Sequence, residues 1–498
     1  MGLIRGNYLD AKQIQTIADL RDVEGFDGAS VQVLGYYESG DGGGGPVRVW
    51  KHSGVAGTYV DNGGSIIVPT GGDGSAAWLW DHSGPVNVKW FGAKGDGVSD
   101  DTVAIQNSVE KFKSVIIPQG IYKITSGIDF SYTDYIESHS VTFKADFTAG
   151  VAVTYSAPTG SLVENKKLLG SLLVDWVTKD WTKDKISFYF QNVYNSEFHI
   201  GSLKATRGVV CIGDESGTVH NDFHLSMMFT NLVGVYLGSK TATGWCNANR
   251  FHGGFFFGDG NPTGSLFASI AGHIYIESTP YQCNGNSFLR PSLEWGNTTG
   301  GFRLARLGGI LNRLSVGYCE ISTGDTTWIE DKGTQNFIDA TRTPYLTGYD
   351  SSLSGSNNRI DVSGATEPWV AGPSGFYDVG TWSQTYKNSS DTKSTMALIN
   401  TSGPSLRLKN ASSSSSPSFQ ILNTNDSVGV SIPATGIWTV WNGSKKIVWM
   451  TPVAPISGAY TLGDIAYNSE PSAGGVVGWV CVASGTPGTW KSFGTISA

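Results

Sequence analysis

The chain contains 498 residues, of which 15% are charged, 12% are aromatic and 66 are glycine, and its formal net charge is −8. The aromatic content excludes a disordered chain, and the many turn-forming residues exclude a mainly helical one, so the composition predicts an all-β protein. The negative charge, without a cluster of Lys and Arg, argues against a nucleic-acid partner, and no window approaches the ~18 apolar residues of a membrane span.

Residues 1–85 are predicted to form a small β module. Short β-type runs at 31–37, 47–50 and 65–69 alternate with glycine-rich turns, and turn signals at about this spacing are typical of such a module. The first ten residues lack the charged-then-apolar layout of a secretory signal. We therefore expect the chain to fold in the cytoplasm where it is made, or to have lost a leader.

A single convincing helix is predicted near residues 101–112. Asp100 or Asp101 can cap its first amide groups, and Ile105 and Val109 fall on one apolar face. Two β-type runs around a Pro-Gln-Gly turn follow directly. One amphipathic helix ahead of continuous strands favours a cap on the open end of a β structure, where edge amides would otherwise pair with other chains.

An internal repeat follows, marked by Asn shortly before an apolar residue. The markers are Asn195, Asn221, Asn249, Asn286, Asn312, Asn336 and Asn358, at spacings of 26, 28, 37, 26, 24 and 22 residues. A period in the twenties without helical patterning is typical of one rung of a parallel β-helix. Cys246 and Cys283 support this interpretation, because each lies three residues before a marker Asn. Residues 86–365 are therefore predicted to form a parallel β-helix that carries the helix as its cap.

The remaining region, residues 366–498, is rich in Ser and Thr, and the run at 411–417 has the composition of a loop or linker. Alternating stretches beyond it predict one β-sandwich or two small β modules, which would serve trimerisation or carbohydrate binding. The five cysteines of the chain are widely spaced and form no C-x-x-C pair. They are predicted to be buried thiols rather than zinc ligands or redox centres.

Two parts of the sequence carry a family resemblance. The stretch WFGAKGDGVSDDTVAIQ at 90–106 resembles the opening of the pectate-lyase-like right-handed β-helix proteins, whereas GYYESGDGGGG before it and GWVCVASGTPGTWKSFG near the end resemble bacteriophage tailspikes of the capsule-depolymerase type. The resemblance implies a homotrimer of β-helices, attached to the virion near the N-terminus, that cleaves a host surface polysaccharide. It supplies no portable catalytic motif. Gly95, Asp96, Asp100 and Asp101 carry the signature, yet we interpret them as turn and cap residues.

Glycosidic cleavage needs two carboxyl groups flanking the scissile bond, and the rung register offers a way to find them. Eight residues after Asn286 lies Glu294, and eight after Asn312 lies Glu320. Residues at equal offsets on neighbouring rungs stack roughly 4.8 Å apart. Glu294 and Glu320 are therefore the predicted catalytic pair, and the proximity of two carboxylates would raise the pKa of one of them, as a general acid requires.

Side-chain alternation predicts the direction of these residues. Apolar residues occupy the offsets on either side of the two glutamates, so those should face the interior and the glutamates should face outward. The outward column then also contains the predicted substrate-binding residues, namely Phe255, Phe257, Ser292, Tyr318 and Arg342. Aromatic faces beside carboxylates and an Arg are typical of a glycan groove. A solvated acidic pair, or aromatics buried between subunits of a trimer, is the alternative interpretation.

Other acidic and histidine residues are also candidates for catalysis or metal binding. The spare carboxylate candidates are Glu277, Asp222, Asp259 and Glu330, the last of which should stack beneath Arg306 in a structural ion pair. His199, His224 and His252 recur at offsets of three or four, which predicts a ladder of stacked rings rather than a metal site, because no Asp or Glu shares their column. We predict neither a metal nor another cofactor.

Three functions remain open at this point. The leading hypothesis is a virion tail protein, made in the host cytoplasm, that hydrolyses capsule, exopolysaccharide or O-antigen as an endo-acting glycosidase. A polysaccharide lyase would need a base and a group that neutralises a uronate carboxylate, for which Arg290, Arg303, Arg306 and Arg313 are available. A glycan-binding adhesin would keep the aromatic residues without a carboxylate pair. No G-x-S-x-G elbow of a serine esterase is present.

Overall fold

The computed structural model describes residues 12–229, 231–241, 243–258, 266–277, 282–295, 303–321, 329–339, short strands between 359 and 442, and residues 445–498. The chain divides into two compact units, residues 1–375 and 376–498. The domain boundaries that the sequence predicts after residues 85 and 365 stay predictions. Among the described residues, no helix is both long and apolar enough to cross a membrane.

The first unit begins with a five-stranded sheet. Its strands, in spatial order, are Lys12–Ile14, Ser30–Val33, Arg48–His52, Ala76–Trp80 and Ile66–Ile67. The sheet packs around a core that includes Val31, Ile67 and Trp78. A short helix, Ile17–Arg21, follows the first strand and is closed by a reciprocal capping box with Thr16. The sequence analysis did not predict this helix, because five residues are too few for a periodic pattern.

The predicted capping helix is present as Thr102–Val109, after a 3-10 turn at Val88–Phe91. Ile105 and Val109 are buried as expected.

The acidic signature ahead of this helix has the structural role that was predicted. Asp96 accepts hydrogen bonds from the backbone N–H groups of Val98 at 2.8 Å and Ser99 at 2.7 Å, and these bonds lower its pKa to about 2. Asp100 accepts the N–H of Thr102 at 3.0 Å. Asp101 accepts two backbone N–H groups of the preceding loop, at 2.7 and 3.1 Å, instead of capping the helix.

Three parallel sheets form the β-helix, and we call them the long sheet, the second sheet and the short sheet. The long sheet consists of Val86–Asn87, Asp96–Asp100, Ser114–Ile117, Gly120–Ile124, Tyr135–Ala145, Lys167–Trp176, Glu197–Leu203, Asp222–Phe229, Arg250–Gly258, Ser287–Leu289, Ser292–Trp295, Arg313–Ser315, Tyr318–Ile321, Phe337–Asp339 and Arg359–Val362. The second sheet consists of Ile128–Asp129, Gly150–Ser156, Lys185–Gln191, Arg207–Gly213, Val233–Ser239, Gly272–Ile276, Arg303–Leu307 and Ile329–Asp331. The short sheet consists of Val163–Glu164, Val193–Tyr194, Thr218–Val219 and Cys246–Asn247. Because successive rungs pair in parallel within each sheet, the predicted parallel β-helix is confirmed.

The marker asparagines form a buried ladder along the β-helix. The side-chain oxygen of Asn249 accepts the Nδ2–H of Asn221 at 2.9 Å, and Asn249 Nδ2 donates to Asn286 Oδ1 at 3.1 Å. Asn286 continues the ladder to Asn312 at 3.1 Å. The first marker is corrected: Asn195 has φ 49° and bonds to Asn165 on the exposed surface, whereas Ser196 occupies the ladder position, where its N–H donates to Asn221 Oδ1 at 3.1 Å. Asn358 lies outside the described residues.

Aromatic rings stack in the interior beside this ladder. Phe223 and Phe251 lie 4.7 Å apart between ring centroids, and Phe251 and Phe288 lie 4.5 Å apart, with nearly parallel planes in both pairs. The five cysteines are free and buried, as predicted, and burial raises the pKa of the Cys283 and Cys319 thiols to about 12.

The second unit is also built from strands. Two hairpins, Phe376–Val379 with Ser383–Tyr386 and Met396–Leu398 with Leu406–Leu408, precede a seven-stranded sheet. The strands of that sheet are Phe419–Leu422, Val428–Ile432, Thr439–Asn442, Lys445–Thr451, Ile465–Asn468, Val476–Ala483 and Thr489–Thr495. The predicted linker at 411–417 lies outside the described residues.

Candidate functional site

The long sheet aligns the predicted glutamates on neighbouring strands. Phe257 pairs in register with Glu294, and Glu294 pairs with Glu320. The positions between the outward columns face the core, since Leu293 and Cys319 are fully buried. Counting from the marker Asn therefore gave the correct register, and alternation gave the correct face for Glu294. The role of the pair in catalysis stays a prediction.

A second outward column runs two residues earlier on the same strands. It places Phe255, Ser292 and Tyr318 in register. Phe255 and Tyr318 expose 37% and 43% of their surface, which is high for aromatic side chains. Arg342, the remaining predicted binding residue, lies outside the described residues.

Glu294 is half-buried and is held by neighbours on its own strand and behind it. Ser292 Oγ donates a hydrogen bond to Glu294 Oε1 at 3.0 Å. The ring of His273 lies behind the strand, where its Nε2 contacts the backbone oxygen of Glu294 at 2.9 Å. On the preceding rungs, Phe229 packs against Phe255 at 4.9 Å and against Phe257 at 6.0 Å between centroids. The carboxyl group is thus oriented by a hydroxyl at one edge of an aromatic patch.

A second group of polar side chains lies on the outward face of earlier rungs. His199, His224 and His252 stack in register, with ring centroids 4.4 and 4.8 Å apart. The predicted ladder is therefore present. The absence of an Asp or Glu from the histidine column does not, however, keep a carboxylate away from the rings. Glu197 lies two residues before His199 on the same face, and its Oε1 is 3.1 Å from His199 Nε2 and 3.6 Å from His224 Nε2.

Asp222 occupies the position of Glu197 one rung further along. Arg250 donates to both of its oxygens, at 2.6 and 2.5 Å, and the Nε2 of His252 lies 3.0 Å away. The Arg250 hydrogen bonds hold the pKa of Asp222 at about 2. Asp222 therefore stays ionised at neutral pH, which makes this spare candidate unsuited to act as a general acid.

The other spare carboxylates lie near the second sheet or outside the described residues. Glu277 accepts hydrogen bonds from the hydroxyl of Tyr236 and, at 3.1 Å, from the backbone N–H of Ser239. Glu330 pairs in register with Arg306, as predicted. Asp259 lies outside the described residues.

The four arginines considered for a lyase are spread over two sheets. Arg303 and Arg306 belong to the second sheet. Arg306 and Lys332, together with Tyr275, line a cavity of about 210 Å³. Arg313 lies over the ring of Phe337 in the long sheet, 5.1 Å from its centroid, and Arg290 is in a left-handed turn with φ 58°. The four residues therefore belong to two different sheets and a turn of the β-helix.

Two family models match the first part of the chain. Residues 13–82 match the phage tail protein small four-stranded beta-sheet domain. Residues 85–140 match the rhamnogalacturonase A/epimerase, pectate lyase-like model. The predicted resemblance to phage tailspike proteins is confirmed. The tail-protein match spans the five-stranded sheet, and the pectate-lyase-like match spans the capping helix and the first rungs of the β-helix.

Several solved structures are similar to this chain. ORF18 of Geobacillus virus E2 is 16% identical, with a TM-score of 0.50 over 97% of this chain and 100% of that chain. The gp42 tailspike of Acinetobacter phage vb_AbaP_AS12 is 13% identical, with a TM-score of 0.47 over 98% and 94% of the two chains. Tailspike gp49 of Acinetobacter baumannii bacteriophage Fri1, a capsular polysaccharide depolymerase, is 14% identical, with a TM-score of 0.42 over 71% and 72%. A search of curated protein sequences finds no significant match.

Proposed function

We propose that this protein is a phage tailspike depolymerase that binds host bacterial surface polysaccharide on the outward face of the long sheet and cleaves it by glycosidic hydrolysis. Glu294 and Glu320 are the proposed acid and base or nucleophile. The observation that carries the proposal is their register on neighbouring strands, next to a column of exposed aromatic residues.

The chemistry follows from this register. Hydrolysis of a glycoside requires one carboxyl group to protonate the leaving oxygen while a second, across the bond, acts as base or nucleophile. Parallel strands hold paired residues about 4.8 Å apart along the sheet, which suits two groups that must address one sugar linkage. Ser292 orients the Glu294 carboxylate through its 3.0 Å hydrogen bond, and a fixed orientation favours proton transfer to a defined atom.

Sugar binding is assigned to the aromatic columns. Phe255, Phe257 and Tyr318 present rings on the rungs that flank Glu294, and rings of this kind pack on the apolar faces of pyranoses. We include Ser292 and Arg342 among the binding residues, with Arg342 one rung beyond Glu320 by its offset. The exposed rings would otherwise leave apolar surface in water.

The assembly around this site is part of the same proposal. The tail-protein match at residues 13–82 supports attachment of the N-terminal module to the phage tail or baseplate, which would make the protein a virion tail component. The tailspike resemblance supports a homotrimer as part of this proposal, and a homotrimer would present several grooves to a multivalent polysaccharide at once.

The test uses the purified capsule of the host bacterium and the full-length protein. Glu294→Gln and Glu320→Gln should each lower turnover by roughly a hundredfold or more with glycan affinity preserved, because acid–base assistance is typically worth about 10²–10⁴. Gln keeps the size of the side chain but exchanges no proton. The matched control is Glu137→Gln, which changes a partly exposed glutamate on an earlier strand of the same long sheet, Tyr135–Ala145, and should leave turnover unchanged.

The products separate the three functions. New reducing ends without an unsaturated uronate support hydrolysis. An unsaturated product would instead assign a lyase and direct attention to the basic cavity lined by Arg306 and Lys332. Binding without any cleavage would assign an adhesin. Normal turnover in both Gln variants would contradict the site and direct the search to Asp222, Asp259 and Glu277.

A further inference from the structure

Three metal-ligating atoms converge on the outward face of the long sheet. Glu197, His199 and His224 each offer one ligand atom, and these three atoms all lie within 4.8 Å of one another. The side chains are 37%, 31% and 42% exposed, so the point between them is open to solvent on one side. The group lies outside the proposed hydrolytic site and has no role in that mechanism.

The separations of these atoms match those of a metal centre. Zinc binds His nitrogen and carboxylate oxygen at about 2.0–2.2 Å, which places tetrahedral ligand atoms about 3.3–3.5 Å apart. Glu197 Oε1 lies 3.1 Å from His199 Nε2 and 3.6 Å from His224 Nε2. Partly exposed imidazoles can rotate to close the remaining nitrogen–nitrogen distance without any movement of the backbone.

We propose that Glu197, His199 and His224 bind one divalent transition-metal ion of the zinc class on each chain. Two imidazoles and one carboxylate supply three ligands, and the solvent-facing side leaves the fourth position to water. Imidazole ligands favour Zn²⁺, Ni²⁺ or Cu²⁺, whereas Mg²⁺ and Ca²⁺ prefer sites made wholly of oxygen.

The charge balance around Glu197 supports the site. Among the residues that the structure describes, the only basic side chains within ion-pair distance of Glu197 are His199 and His224, and no Lys or Arg lies that close. Asp222, one rung further along, is instead neutralised by Arg250, which donates to both of its oxygens. The carboxylate of Glu197 is thus left to the two imidazoles, which a metal ion would bind in their neutral form.

The fold explains why the three residues meet. The E-x-H spacing places Glu197 and His199 on one face of a strand, and the parallel register brings His224 opposite His199. The chain contains a natural control, because Glu137 and His139 form another E-x-H pair, also with 3.1 Å between Oε1 and Nε2. Among the described residues, no third metal-ligating side chain joins this pair. Glu137 and Ser138 are in register with Ile116 and Ile117 on one side and with Leu169 and Gly170 on the other.

The experiment is a titration of full-length protein without a polyhistidine tag, freed of metals by a chelator, with ZnCl₂ in a calorimeter. One ion per chain should bind. Glu197→Gln, His199→Ala and His224→Ala should each weaken binding at least tenfold, with circular dichroism and oligomeric state unchanged. His139→Ala, the matched control, should leave affinity within about twofold, and CaCl₂ should give no binding at this site.

The absorption spectrum of bound Co²⁺ is a second measurement, which reports on the ligands and does not depend on the zinc affinity. Co²⁺ bound by two imidazoles and a carboxylate should show visible absorption bands that disappear in Glu197→Gln. Absence of zinc binding to the wild-type protein would overturn the proposal, as would binding that survives in all three variants. An equal loss in His139→Ala would show unspecific binding by exposed histidines and would overturn it as well.

Discussion

The inner and outer sides of the same strands differ in how they use the repeat. On the inside, Phe223, Phe251 and Phe288 stack ring on ring, and the asparagine ladder continues beside them. On the outside of the same sheet, the column formed by Met227, Phe255, Ser292 and Tyr318 changes residue type on every rung.

The difference shows which side is constrained by stacking. A buried column has to fit the rung above and the rung below, so similar side chains recur in it. An exposed column meets water on one side and therefore tolerates a new residue on each rung. The chemistry of the molecule is accordingly concentrated in outward columns, and its folding information in inward ones.

Among substitutions that test this difference between the inner and outer columns, Phe251→Ala is expected to have the largest effect on the free energy of unfolding. The ring is fully buried between Phe223 and Phe288, so its loss should lower the free energy of unfolding by about 3–5 kcal/mol. Phe255→Ala, on the same strand but facing outward, should cost less than about 1 kcal/mol. Urea denaturation of both variants measures the difference. Equal losses would show that Phe255 packs against another surface of the assembled protein.

The asparagine ladder should give a smaller effect. Asn249→Ala removes the acceptor of two buried donors, Asn221 N and Asn221 Nδ2, at 3.2 and 2.9 Å, which should cost about 2–4 kcal/mol. The control is Asn195→Gly on the surface, since Gly adopts the positive φ of this position without strain. That variant should change the free energy of unfolding by less than about 0.5 kcal/mol. If the two variants had the same free energy of unfolding, the ladder would not contribute to stability.

The smallest predicted effect depends on pH. Burial lowers the pKa of His273 to about 3 in the folded protein. In the unfolded chain the pKa of this side chain is about 6.5, so the imidazole becomes protonated there at a higher pH. Since the unfolded state then holds more protons, stability is complete above pH 6.5 and falls as the pH drops, by about 2 kcal/mol at pH 5. Denaturation curves from pH 7 to 5 measure this slope. It should diminish in His273→Gln and persist in the exposed control His139→Ala, and an unchanged slope in His273→Gln would assign the proton to another group.

Much of the β-helix could be predicted from the sequence because the same residue type, Asn, makes the same buried hydrogen bonds on successive rungs. The marker Asn residues gave the register that aligns Glu294 with Glu320. The count failed at Asn195, because Ser196 takes the ladder position there. Its hydroxyl oxygen accepts the N–H of Lys166 at 2.9 Å, so a different residue type makes an equivalent bond and breaks the pattern in the sequence.

The Glu197, His199 and His224 group was missed for a geometric reason. The sequence analysis compared residues at equal offsets from the markers, whereas these ligands combine neighbours across strands with neighbours two residues apart on one strand. The signal was available as an E-x-H spacing followed by a His on the next rung. The short helix Ile17–Arg21 left no comparable periodic signal, only the Thr16 and Asp19 capping pair.

The asparagine ladder also shows that the number of residues in a rung does not determine how that rung aligns with the next one. Asn249 and Asn286 are 37 residues apart in the chain and bond at 3.1 Å, and Asn286 and Asn312, which are 26 residues apart, bond at the same distance. Insertions can therefore accumulate in the connecting segments while each new rung returns to the same amide. The outward surface of the β-helix can therefore vary in length and residue type while the buried ladder keeps the same fold.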